Sequence, residues 1–134
     1  MIQRLQSIWL LLAAVFAALT FVLPFANFAQ LNEGLKPINS QSTTWLTIVA
    51  AFTGALAFID IFLFNNRKLQ TRLCIVGILL TLVFLGLCFM QMSREAGTLA
   101  LSCLIYFAIL GFYIMAVNGI RKDEKLIKSM DRLR

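Results

Sequence analysis

The stretch WLTIVAAFTGALAFIDIFLF, NNRKLQTR, LCIVGILLTLVFLGLCFMQM, read continuously over residues 45–92, places two apolar runs of 20 residues on either side of a basic octet. A hydrocarbon layer of roughly 30 Å takes about 20 helical residues. Each run therefore matches one membrane crossing, and the octet between them makes the pair a helical hairpin with its turn in water.

Working outward, two further runs of similar length occupy residues 8–28 and 98–117. With 60% hydrophobic residues, 13% charged and a mean hydropathy of +0.86, 134 residues cannot bury their apolar side chains in a water-surrounded core. Backbone in lipid must satisfy its own hydrogen bonds, and the runs lack the alternation of barrel strands, so helix is expected in each. The expected fold is an all-α antiparallel bundle of four transmembrane helices. Its short turn over residues 93–97 closes the second hairpin, and residues 29–44, with Gly34, Pro37 and a Ser/Thr-rich end, read as a surface loop. A signal-peptide reading of the first run fails on length and on the poor small-x-small site at Asn27 and Ala29, so it is read as a retained span. No internal repeat or low-complexity tract is visible.

The charges are unevenly placed. Ten of the twelve Lys and Arg fall in three segments: Arg4; Arg67, Lys68 and Arg72; and Arg121, Lys122, Lys125, Lys128, Arg132 and Arg134. Lys36 and Arg94 are on the other side, so the positive-inside rule puts both termini in the cytoplasm. Trp9 and Trp45 fall near span ends, where indoles favour the interface.

Little in the chain carries reaction chemistry. It contains no histidine, which removes the commonest metal ligand and general base. Cys74, Cys88 and Cys103 all lie in apolar runs without a C-x-x-C pair and read as small hydrophobes, and Met90 with Met92 makes no metal site. No nucleophile, base and oxyanion set can be assembled. A lipid-acting enzyme would have only Asp60, Tyr106 and Tyr113 to use and ranks last. No cofactor, metal or nucleic-acid partner is expected.

Asp60 is the one ionisable residue inside a run, and such carboxyls are functional candidates because they are costly to place there. It continues a small-residue stripe, Ala50, Thr53, Gly54 and Ala57, that suits close helix packing, so Asp60 is expected to point inward as a polar anchor. Tyr113 should lie at similar depth and donate to it, with Arg67 or Arg121 within reach. Parallel stripes run through Ala13, Ala17 and Thr20, and through Cys74, Gly77, Thr81 and Cys88.

From residue 119 the tail reads GIRKDEKLIKSMDRLR. Ile120, Leu126, Ile127, Met130 and Leu133 recur at helical spacing among basic and acidic residues, and Glu124 with Lys128 is a favourable i, i+4 pair, so an amphipathic helix is expected to extend the fourth span. Anionic lipid headgroups or a groove on a protein partner would suit it. The interspersed Asp123, Glu124 and Asp131 favour a protein.

The opening MIQRLQSIWLLLAA, the central NNRKLQTRL (residues 65–73) and the closing GIRKDEKLIKSMDRLR resemble an uncharacterised bacterial family of small four-helix membrane proteins, a domain of unknown function. The resemblance covers nearly the full length and implies an integral inner-membrane protein, with no activity or site residues to carry over. Amides such as Gln3, Gln6 and Gln70 beside the basic residues exceed what topology alone requires. Together with Arg4, Arg67, Lys68, Arg72, Arg121, Lys122, Asp123, Glu124, Lys128, Asp131 and Arg132 they outline a docking surface. The expected function is a non-enzymatic accessory or scaffold subunit, possible also as an oligomer. The alternative is a small proton-coupled transporter using Asp60.

Overall fold

The computed structural model describes residues 2–30, 34–38, 40–63 and 65–133, with the side chains of residues 2–4, 28–30 and 34–36 left aside. Four helices, α1 (Ile2–Leu19), α2 (Thr44–Phe62), α3 (Arg67–Arg94) and α4 (Cys103–Arg132), form a bundle in which α1 and α3 each pack against both α2 and α4. Three of them, α2, α3 and α4, are long and apolar enough to cross a membrane, whereas the described apolar part of α1, Leu5–Leu19, is shorter.

Side chains are distributed as lipid would require. The inward faces carry small and hydroxyl residues, among them Ala13, Ala17, Ala50, Thr53, Ala57, Cys74 and Thr81, while Leu11, Val15, Phe52, Phe58, Leu79, Leu82, Val83 and Ile114 face outward. In lipid, apolar side chains gain nothing by facing one another, so close approach of small residues does the packing. Thr53 and Thr81 remain compatible with helix because their hydroxyls donate to the carbonyls of Val49 and Gly77, one turn back.

At Gly77, α3 leaves room for a side chain of α4. A Cβ built there would lie 2.5 Å from Cε1 of Tyr113, so the tyrosine ring occupies the space of the missing side chain.

The apolar run expected to be one helix over residues 8–28 is split. Pro24 has no N–H and disfavours helical backbone at Leu23, so α1 stops at Leu19 and the chain re-enters as a strand. Residues 29–44, expected as a loop, contain half of a small sheet. Strands β1 (Ala26–Gln30), β2 (Gly34–Ile38) and β3 (Thr98–Leu99) are antiparallel in the order β2-β1-β3. Pro37 is tolerated because β2 is an edge. The pairing of Thr98 with Asn27 also delays α4, which begins at Cys103 rather than at residue 98.

This sheet closes one end of the bundle. Phe25, Ala26 and Ile38 are buried with Leu46, Phe84, Cys88 and Tyr106, and the Phe25 ring meets those of Tyr106 and Phe89 edge-on, each at 5.2 Å. The turn after α3 is correspondingly tight. Ala96 takes a positive φ of 49°, and Gly97, whose N–H returns to the Met92 carbonyl, lies where a Cβ would be 3.2 Å from the Asn27 carbonyl oxygen.

Gly77→Ala should destabilise the fold by about 1–3 kcal/mol through overpacking. Unfolding in mixed micelles will check this, and a neutral effect would mean that the Tyr113 ring is free to retreat.

Candidate functional site

The polar and basic residues converge at the end of the bundle opposite the sheet. Pairings of Gln6 with Asp123, Gln70 with Asp60, and Gly77 with Tyr113 are those of antiparallel neighbours. They bring the start of α1, the α2–α3 connection and the far part of α4 to the same end. All three basic segments therefore share it, while Arg94 ends α3 beside the sheet.

Asp60 is fully buried on the inward face of α2, in line with its stripe. Its partner differs from the expected one. The thiol of Cys74 donates to Asp60 Oδ2 at 3.3 Å, and Oδ1 is buried without a partner. The Tyr113 hydroxyl instead donates to the backbone carbonyl of Thr53 at 2.7 Å, nearly two turns further along α2. Neither Arg67 nor Arg121 pairs with the carboxyl among the described residues: Arg67 Nη1 is itself buried and unpartnered, and Arg121 is exposed. Tyr113 thus anchors α4 to the α2 backbone, and Cys74, read from sequence as a small hydrophobe, is the residue that meets Asp60. The shared stripe of Cys74 and Gly77 carried the signal, because the α2–α3 hairpin brings it opposite Asp60.

Three residues expected on the docking surface are turned inward. Gln70 is buried and donates to the Asp60 carbonyl at 3.1 Å, satisfying a carbonyl near the end of α2 that also receives the Leu63 N–H. Gln6 and Asp123 are buried and hydrogen-bonded to each other, tying α1 to α4, with Asp123 Oδ1 left unpartnered. Gly119 permits that tie, since a Cβ there would lie 3.1 Å from Gln6 Cγ. The side chains of Gln3 and Arg4 lie outside the described ones.

What stays outside is a cationic rim and the α4 extension. Lys68, Arg72, Arg121, Lys122, Lys128, Asp131 and Arg132 are exposed, and Lys128 pairs with Glu124 at 3.2 Å. α4 continues without interruption to Arg132. Ile120 is buried, whereas Leu126, Ile127, Met130 and Leu133 beyond it are 49%, 43%, 67% and 89% exposed. Among the described residues no group of three or more acidic, cysteine or histidine side chains has the arrangement to hold a metal ion.

Cys74→Ala and Asp60→Asn should be coupled, the double variant losing less than the sum of the singles by about 0.5–3 kcal/mol. Tyr113→Phe should cost about 1 kcal/mol for its hydrogen bond and add independently to Asp60→Asn. A double-mutant cycle in unfolding experiments checks both, and coupling of Tyr113 rather than Cys74 to Asp60 would contradict the assignment.

No curated protein and no solved structure gives a significant match to the chain. One family model does, and its match covers residues 2–133. From near the first residue of α1 to just past the last residue of α4, then, the chain belongs to the family described as a domain of unknown function, DUF4293.

Proposed function

We propose that the protein is a non-enzymatic accessory or scaffold subunit of a bacterial inner membrane. In this reading all four helices cross the bilayer, both termini are cytoplasmic, and the α4 extension docks a protein partner. The gathering of ten of the twelve cationic residues into three segments of the sequence supports that orientation. α1 supports a fourth crossing because it lies along α4 from Asp123 to Tyr106, through the Gln6–Asp123 pair and the Tyr106 hydroxyl's bonds to the carbonyls of Thr20 and Leu23.

The observation that carries the docking proposal is the exposed stripe of Leu126, Met130 and Leu133 on an unbroken α4. Transmembrane helices tilt by about 20° on average. A helix that leaves the bilayer without a break therefore stands away from the surface and cannot lay this stripe on the lipid. The stripe suits an apolar groove on an aqueous protein. Exposed Lys122, one turn before Leu126 on the same side of the helix, suits a carboxylate on the rim of that groove.

The second reading, a small proton-coupled transporter, is favoured by one observation, the unpartnered Oδ1 of Asp60. Against it, Asp60 lies in the last turn of α2, away from the midplane where transporter sites tend to be. Proton-coupled flux in liposomes that disappears with Asp60→Asn would promote it.

Affinity purification from gently solubilised membranes tests docking. The wild type should retain a specific partner, and Met130→Glu with Leu133→Glu, both on exposed positions, should lose it while keeping the same elution volume. Recovery of the same set by the variant, or of no partner by the wild type, would overturn the proposal.

A further inference from the structure

A cleft of about 460 Å³ opens between the α2–α3 connection and the base of the α4 extension. Asn65, Asn66, Arg67 and Lys68 line one side, and Glu124 and Lys128 the other. Three cations face one carboxylate, and that carboxylate is already engaged by Lys128. The local balance favours an anion.

Two independent features point the same way. Arg67 Nη1 is buried with no hydrogen-bond partner, although a guanidinium is a rigid array of donors that is rarely left unsatisfied. Arg67 also begins α3, whose N-cap Asn66 makes no side-chain capping bond and whose first turn contains no acidic residue. The partial positive charge and free N–H groups of that helix start are thus unneutralised. An oxyanion with several acceptor oxygens would answer both needs at once.

The surroundings identify its source. Phe62, three residues before Asn65, is 65% exposed and stacks edge-on with exposed Phe58 at 5.2 Å, while Leu69, directly after Lys68, is also exposed. Exposed apolar side chains thus flank, along the chain, the segment that lines the cleft. Ile127 lends it an apolar wall from α4.

We propose that this cleft is a binding site for the phosphate group of an anionic phospholipid. Arg67 and the start of α3 hold the phosphate, Lys68 and Lys128 flank it, and the acyl chains run along Phe58 and Phe62. This rests on the chain lying in a bilayer and is independent of the protein-docking reading.

Native mass spectrometry of protein released from micelles with equal amounts of phosphatidylglycerol and phosphatidylcholine tests the site. The wild type should retain phosphatidylglycerol preferentially. Arg67→Gln with Lys128→Gln should lower that preference by about five-fold for each cation removed, whereas Lys125→Gln with Arg132→Gln, the same charge change outside the cleft, should leave it intact. Should Arg67→Gln fail to fold, Lys68→Gln with Lys128→Gln carries the same test on exposed side chains. Equal losses in the cleft and control variants, or no loss in the cleft variant, would overturn the proposal. So would displacement of the lipid by millimolar inorganic phosphate, which would make free phosphate the occupant.

Discussion

Where Tyr113 lies over Gly77 and donates to the Thr53 carbonyl, one side chain fixes three helices at a single level. The ring needs the absence of a side chain on α3, and the hydroxyl needs an acceptor on α2 whose own lone pair is free. In lipid the hydrophobic effect does not press helices together, so such fitted contacts and buried hydrogen bonds carry the association. α1 joins the same unit through smaller contacts, with Ala17 Cβ 3.3 Å from the Cβ position of Gly54 and Gln6 hydrogen-bonded to Asp123.

That central tie leaves each end of the bundle to a different kind of closure. At one end the sheet seals the core, and Tyr106 serves two carbonyls freed where α1 stops short, those of Thr20 and Leu23. At the other end, amides and carboxyls do the joining: Gln70 caps the end of α2, and Gln6 and Asp123 hold α1 against α4. With α4 held in this way as far as Asp123, the residues beyond it form a supported extension rather than a loose tail. The docking and lipid-binding readings both depend on that support.

Much of this was legible in the residues. Hydropathy located α2 to within a few residues, and small-residue spacing identified the inward faces of α1, α2 and α3, Asp60 included. The hairpin between α1 and α2 was not, because its strands are short and partly as apolar as the helix before them, although Pro24 marked the break. Spacing along a helix places a residue on a face but does not choose its partner across the bundle, which is why Tyr113 found Thr53 and Asp60 found Cys74. Gln6, Gln70 and Asp123 looked like surface because they sit among basic residues. Gln70 turns inward to serve the Asp60 carbonyl near the end of α2, and Gln6 and Asp123 turn inward to each other.

Sidedness is what the functional account requires above all, and single cysteines placed in a chain with Cys74, Cys88 and Cys103 replaced report it directly. Ser93, exposed at the end of α3, and Ser129, exposed on the α4 extension, mark the two ends. A membrane-impermeant maleimide applied to inverted inner-membrane vesicles should label Ser129→Cys and spare Ser93→Cys, with the pattern reversed in right-side-out spheroplasts. Labelling of both positions from one side, or of Ser129→Cys only from outside, would contradict the cytoplasmic placement of the basic end.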